Sequence, residues 1–289
     1  MILEGGLLEG VEKIAVLAGG GALPHAVIQG AKHQDIPVFV AALSGFSNPE
    51  DFSVSGRSFG LAEFGGLIKV LKKEKCSHIV MAGNVSRPNF KSMKPDLQGL
   101  KILPGAIKAA KQGDDALLKY LVGAIESEGF FVLAPQDICV ASLIGEGYLG
   151  QVKAKTAHQD DIDKAMDIAR LIGGVDIGQG AVVCSGLVLA VEAQEGTDKM
   201  LERVARLDAS IRGNQDTRCG VLAKCLKPEQ EARVDLPTVG PKTIELVSRA
   251  GLAGIVLRAG QAFIMEKETC VSLVDKHGVF LLGLKDDEE

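Results

Sequence analysis

The sequence predicts an α/β protein of two domains, a mostly parallel sheet first and a second α/β unit after it, with the substrate cleft between them. Three observations predict it. Short apolar runs rich in β-branched residues alternate with segments of helical period, the pattern of βαβ units. The alternation breaks over residues 141–152 and then resumes, so a first domain spans 1–140, a linker 141–152 and a second domain 153–289. The two parts also differ in charge. Residues 1–140 carry 14 basic and 14 acidic side chains and residues 141–289 carry 18 and 23, so the net −5 resides in the second part.

Taken in order, Lys13–Ala18 is a strand closed by Gly19-Gly20-Gly21, and Pro24 opens a helix reaching about His33. Pro37–Leu43 is the next strand. Leu61–Lys73 has apolar residues at Leu61, Phe64, Leu67, Ile68 and Leu71, which is helical spacing. His78–Ala82 is a strand stopped by Gly83. Asp114 caps a helix to about Glu128 with Leu117, Leu121, Ala124 and Ile125 on one face, and Phe130–Ala134 is a strand. Ala141–Val152 has three glycines and no period, hence the linker. Beyond it come a helix over Gln159–Leu171, strands at Ala181–Ser185 and Leu187–Val191, and a helix over Asp198–Ala209. The chain closes with a strand at Val221–Leu226, a helix at Val239–Ala250, a strand at Gly254–Leu257, a helix at Lys267–Lys276 and a strand at Val279–Leu282.

Composition narrows the function. With 46% hydrophobic and 24% charged residues the 289-residue chain is neither disordered nor a coiled coil. It lacks the basic excess of a nucleic-acid binder, so no nucleic-acid partner is expected. The opening MILEGGLLEG carries Glu4 and Glu9 where a secretion signal would be basic, and no apolar run reaches about 18 residues, so the expected location is the cytoplasm. The six cysteines form no C-x-x-C and read as buried free thiols of a reducing compartment. The five histidines have no metal-ligand spacing, so any metal is a hard cation held by carboxylates.

Five places carry candidate chemistry. Gly19, Gly20 and Gly21 follow a strand and open a helix, an arrangement that lets backbone approach an anion. It departs from the dinucleotide fingerprint because Pro24 replaces the third glycine and the second strand ends in Leu43-Ser44 without a carboxylate. Gly83 and Asn84 close a second strand of the same sheet, and Asp114 opens a helix nearby in sequence. In the second domain Glu195-Gly196-Thr197-Asp198 follows a strand: Thr197 is a sound N-cap and Asp198 suits a first turn, which leaves Glu195 as an extra acid. Clustered carboxylates need a cation or a basic partner, which is the case for Mg²⁺. Lys224 and Lys227 can sit on phosphate oxygens, and Asp235, fixed before Leu236-Pro237 and a capping Thr238, can hold a metal or activate water. The catalytic candidates are therefore Asp235, Asp198 and Glu195, with Asp235 and Asp198 on the metal. The substrate-binding candidates are Gly19, Gly20, Gly21, Gly83, Asn84, Asp114, Thr197, Lys224 and Lys227. A nicotinamide-linked oxidoreductase and a non-catalytic nucleotide-sugar binding protein are the competing readings.

These residues carry a resemblance. K-I-A-V-L-A-G-G-G-A-L-P at Lys13–Pro24, G-N-V at Gly83–Val85, D-I-G-Q-G at Asp176–Gly180, V-E-A-Q-E-G-T-D at Val191–Asp198 and K-P-x-Q-x-x-R-V-D-L-P-T-V-G at Lys227–Gly240 run over nearly the full length. The chain resembles the LpxI family, the UDP-2,3-diacylglucosamine pyrophosphatases of lipid A biosynthesis. The resemblance implies a Rossmann-like first domain, a C-terminal catalytic domain and hydrolysis of UDP-2,3-diacylglucosamine to UMP and 2,3-diacylglucosamine 1-phosphate (lipid X). It also implies a divalent cation, Mg²⁺ (or Mn²⁺), and an essential aspartate at the place Asp235 occupies. Glu231 stands where the family often has Asp, a tolerated change. The lipid-linked UDP-sugar substrate implies transient peripheral contact with the cytoplasmic face of the inner membrane, and a homodimer is left open.

Overall fold

A computed structural model describes residues 8, 11–86, 89–227, 233 and 236–285. They fall into two compact units, one holding the chain through Ala141 together with Arg233, the other holding Ser142 onward.

The first unit comprises β1 (Ile14–Ala18), α1 (Leu23–His33), β2 (Val38–Leu43), β3 (Gly56–Phe59), α2 (Phe64–Lys73), β4 (His78–Ala82), α3 (Leu97–Ala110), α4 (Asp114–Ser127), β5 (Phe131–Leu133) and α5 (Pro135–Ile138). Its five strands are all parallel in the order β3-β2-β1-β4-β5. The β1 strand is buried on both faces, which its unbroken apolar run Ile-Ala-Val-Leu-Ala requires. Ala15 and Ile79 pack against Leu67, Leu71, Val122 and Ile125 of α2 and α4 on one side. The helix α1, with Val27, Ile28 and Ala31 buried, lies against β1, β2 and β4. Three elements are additional to the expected ones, β3, α3 and the short α5. The helix α4 begins at Asp114, but its N-cap is Gly113 at φ 140° with no side-chain cap bond, so Asp114 is a first-turn acid rather than the cap.

The second unit comprises β6 (Gly147–Tyr148), α6 (Gln159–Gly174), β7 (Gly180–Cys184), β8 (Leu187–Val191), α7 (Gly196–Val204), α8 (Ala209–Arg212), β9 (Val221–Lys224), β10 (Thr238–Val239), α9 (Pro241–Arg249), β11 (Gly254–Arg258), β12 (Phe263–Ile264), α10 (Lys267–His277) and β13 (Phe280–Leu284). Six strands form the order β6-β13-β11-β9-β7-β8. Within it β9, β11 and β13 are parallel, and β7 runs antiparallel to both β9 and β8. One face packs Val182, Leu222, Ile255 and Leu257 against Met200 and Leu201 of α7, Ile244 and Val247 of α9 and Val274 of α10. The other packs Ala181, Val183, Val221 and Val256 against Ile162, Ala165, Met166 and Ala169 of α6. Each such aliphatic side chain contributes about 1.5–3 kcal/mol on burial, so the two layers rather than local propensity hold these nine- to sixteen-residue helices.

The expected linker is in part structural. Ile144 is 2% exposed within the core of the second unit, and β6 pairs with β13 through Tyr148↔Leu282 and Gly147↔Gly283. The expected helix at Val239–Ala250 starts two residues later, because Thr238 and Val239 pair with Phe263 and Ile264 as β10, and Gly240 and Pro241 open α9. Thr238 is thus a strand residue and not a cap. The cysteine expectation needs correction too. Cys184 and Cys219 form a disulfide with Cα atoms 5.9 Å apart. They meet because β7 pairs with β9 through Val183↔Val221, a neighbourhood that 35 residues of separation conceal. Cys76, Cys139, Cys225 and Cys270 are free and buried, and burial pushes the Cys225 thiol up to about 11, so it stays protonated.

Candidate functional site

In the first unit the sheet order reverses between β1 and β4, the position where open α/β sheets take ligands beyond their carboxyl ends. Gly19–Gly21 and Gly83-Asn84 follow those two strands. Gly20 N–H donates to Asn84 O and Asn84 N–H to Gly20 O, both at 2.9 Å, and Gly19 N–H donates to Ala82 O at 2.8 Å. The glycines permit this approach. A Cβ on Gly19 would lie 2.8 Å from Asn84 O, and Gly83, at φ +93°, would place one 2.5 Å from Gly20 O. Five candidate residues therefore meet at one place, Gly19, Gly20, Gly21, Gly83 and Asn84. The helix α1 behind them has Ala22 at its N-cap, which makes no side-chain cap bond, and Pro24 in its first turn. Asp114 is exposed at the start of α4, and Asp115 beside it pairs with Lys119 at 2.7 Å.

In the second unit β8 and β9 end on either side of the start of β7. Gly180 opposes Lys224, and Glu192 N–H donates to Gly180 O at 2.8 Å, one step beyond the Ala181↔Val191 pair. Glu192, Gly180 and Lys224 thus form one row across three strands, with side chains on the same face. Lys224 is 5% exposed, and its Nζ donates to Thr238 O at 3.1 Å. Glu192 is 7% exposed; its Oε1 accepts from Thr197 Oγ1 at 3.0 Å, and among the described residues its Oε2 has no hydrogen-bond partner. Thr197 is therefore not the cap of α7 that the motif suggested; the N-cap position is Glu195, and the Thr197 hydroxyl is committed to Glu192.

Glu195 and Asp198 each have a basic partner. Arg203 Nη2 donates to Glu195 Oε1 at 2.8 Å and holds that carboxyl below its ordinary range. Lys242, in the first turn of α9, meets Asp198 Oδ2 at 2.7 Å, and that hydrogen bond raises the Lys242 ammonium above its ordinary value. Neither acid needs a cation for its neutralisation. Lys227 Nζ meets Asp176 Oδ1 at 2.7 Å. Asp235 lies outside the described residues; Arg233, two positions before it, pairs with Glu126 at 2.7 Å.

Sequence reasoning did not single out Glu192, although it lies inside the quoted V-E-A-Q-E-G-T-D. A signal was present: a glutamate closing the apolar strand Leu-Val-Leu-Ala-Val, and glycines at 178 and 180. A Cβ on Gly180 would sit 2.6 Å from Glu192 Oε2, and one on Gly178 would collide with Glu192 O. Among the described residues Asp161, Cys184 and Cys219 also come within metal-binding reach of one another. Their atoms are already used, since Asp161 accepts the N–H of Ser185 and Gly186 at 2.9 and 2.7 Å and the sulfurs are bonded together. Among the described residues no helix is long and apolar enough to cross a membrane.

Comparison with known proteins agrees with the motifs. The family described as LpxI N-terminal domain matches residues 13–141, and that described as LpxI C-terminal domain matches 145–282. A curated relative from Caulobacter vibrioides, named UDP-2,3-diacylglucosamine pyrophosphatase LpxI, is 47% identical over 278 residues, covering 96% of this chain and 99% of the relative. Two solved structures are distant: CobK precorrin-6A reductase, 12% identical over 96% of this chain and 88% of that one at a TM-score of 0.33, and isoflavone reductase, 13% identical over 96% and 80% at 0.28. At such scores neither informs fold or function. Both domain matches and a full-length relative at this identity lead to one conclusion, that the chain belongs to the LpxI family.

Proposed function

We propose that this chain hydrolyses the pyrophosphate bond of UDP-2,3-diacylglucosamine, releasing UMP and 2,3-diacylglucosamine 1-phosphate, in lipid A biosynthesis and with Mg²⁺ (or Mn²⁺) as cofactor. The observation that carries the reading is the 47% identity, over almost all of both chains, to the pyrophosphatase from Caulobacter vibrioides. The chemistry available in the second unit is consistent with it. Hydrolysis adds water to one phosphorus and breaks a bridging P–O bond, so negative charge builds on phosphoryl oxygens. Lys224, buried with two N–H donors beyond its bond to Thr238 O, suits that charge in a site of low polarisability. Lys227 stands close by in sequence with Asp176 orienting its ammonium.

Asp235 is the carboxylate proposed to accept the proton of the attacking water or to hold the cation with Asp198, and Glu195 is proposed as a third acid of the set. The residues fit a hard cation in one respect that this structure displays, a buried carboxylate oxygen with no donor, Glu192 Oε2. The cation, when bound, supplies positive charge to the phosphoryl oxygens and acidity to a bound water. The uridine nucleotide is proposed to lie at the glycine turn of the first unit with Asn84, and Asp114 and Thr197 complete the proposed binding residues. A substrate with two acyl chains also supports a cytoplasmic protein that meets the membrane surface transiently. The test is UMP release by the wild type and by Asp235→Ala. The expected result is a folded variant at least 100-fold slower; a folded variant with wild-type turnover sinks the assignment of Asp235.

A further inference from the structure

Glu192 is a buried acid whose Oε2 meets no donor or cation among the described residues. Burying a carboxylate oxygen without a donor is destabilising, and native folds accept this where the group meets a ligand. The surroundings are shaped for it. Gly178 and Gly180 are the residues whose missing side chains make room for the Glu192 backbone and carboxylate. Across Gly180 lies a second buried charge, Lys224, which donates to a backbone carbonyl rather than to Glu192, and no ion pair joins the two. Two oppositely charged side chains thus flank a glycine on one face of the sheet without neutralising each other. The helices α7 and α9 begin above this row, one four residues after Glu192 and the other three after Thr238, and the Lys242–Asp198 pair ties their first turns together. Helix N-termini favour a phosphoryl group.

We infer that the row Glu192–Gly180–Lys224 is a composite site for a divalent cation and the phosphoryl oxygen it binds, with Glu192 Oε2 as cation ligand and Lys224 Nζ as donor to the phosphoryl group. The order carboxylate, cation, phosphate, ammonium alternates in sign, so each buried charge gains a partner that the protein alone does not supply. A hard cation of the Mg²⁺ class suits this set, because it accepts one or two carboxylates and completes its shell with phosphate oxygens and water. The phosphoryl half rests on the proposed pyrophosphatase reading, whereas the cation half rests on Glu192 alone.

The experiment is a titration of the full-length chain with Mn²⁺, first alone and then with inorganic pyrophosphate, following free Mn²⁺ by electron paramagnetic resonance. Glu192→Gln keeps the size of the side chain and an oxygen for Thr197 while removing the charge. The expected result is at least tenfold weaker Mn²⁺ binding with unchanged circular dichroism. Gly180→Ala, whose Cβ displaces the carboxylate, gives the same loss and serves if Glu192→Gln does not fold. Lys224→Met binds Mn²⁺ alone no more weakly than wild type but loses the tightening that pyrophosphate produces. Wild-type Mn²⁺ affinity in both folded Glu192→Gln and folded Gly180→Ala overturns the inference, as does a wild type that binds no Mn²⁺. A wild type that hydrolyses the lipid substrate while both folded variants bind Mn²⁺ normally removes this inference and spares the pyrophosphatase reading. Glu192-dependent Mn²⁺ binding without hydrolysis does the reverse.

Discussion

Replacing Gly83 by alanine tests whether the two loops at the reversal point of the first sheet are held by glycine. At φ +93° an L-residue costs roughly 1–2 kcal/mol. The added Cβ would lie 2.5 Å from Gly20 O, 2.9 Å from Gly19 C and 3.0 Å from Pro24 Cγ, and two of these three atoms are backbone. Relief requires the turn after β1 to move away from the loop after β4, which breaks the reciprocal Gly20–Asn84 hydrogen bonds, each worth about 1 kcal/mol. The sum is about 3–4 kcal/mol. At about 1.4 kcal/mol per factor of ten, amide hydrogen exchange in β1 and β4 should accelerate by two to three orders of magnitude if those amides open with the first unit. UMP binding should weaken as well. Acceleration below tenfold in β1 and β4 would refute the argument that close approach fixes this glycine.

Gly123 offers the contrast: it lies inside α4 with nothing within 4 Å of an added Cβ, so Gly123→Ala should stabilise the first unit by up to about 1 kcal/mol in urea unfolding. Asp96 caps α3 through Gly99 N–H and accepts Gly66 N–H, both at 2.7 Å. Burial raises its carboxyl, but the N–H donors of Gly99, Gly66, Gly65 and Gln98 outweigh burial and hold it below its ordinary range. Its folded pKa is below the unfolded one, so this stabilisation is present above about pH 4 and is lost as pH falls further. Asp96→Ala should accordingly cost about 1–2 kcal/mol at pH 7, and the difference from wild type should shrink in melts below pH 4. Cys184→Ser opens a loop of 35 residues and should cost about 3–4 kcal/mol by loop-closure entropy; an unchanged urea midpoint under oxidising conditions would contradict the pairing.

What the sequence revealed followed local pattern. The strands β1, β4 and β8 were legible because their apolar runs are unbroken and end in glycine or a polar residue. The strand β3 was not, since Gly-Arg-Ser-Phe is an edge strand with its first three residues exposed. Nor was α3, where Gly99, Pro104 and Gly105 read as breakers although the Asp96 cap and packing on α2 and α4 sustain the helix. The glycine turns were legible as sites of close approach, but not that the approach is of one loop to the other. Glu195 and Asp198 looked unneutralised because their partners, Arg203 eight residues along the same helix and Lys242 on α9, are invisible to adjacency along the chain. Glu192 escaped notice for the same reason: its neighbours across the sheet, Gly180 and Lys224, are set by strand register. Asp235 remains a proposal drawn from motif and family.

The central claim is hydrolysis of a pyrophosphate bond, and phosphorus NMR of UDP-2,3-diacylglucosamine incubated with the purified chain tests it most directly. With Mg²⁺ the two coupled diphosphate resonances should disappear and two phosphomonoester signals, from UMP and the sugar 1-phosphate, should replace them, and EDTA should stop the conversion. Diphosphate resonances that persist with folded protein and Mg²⁺ would contradict it.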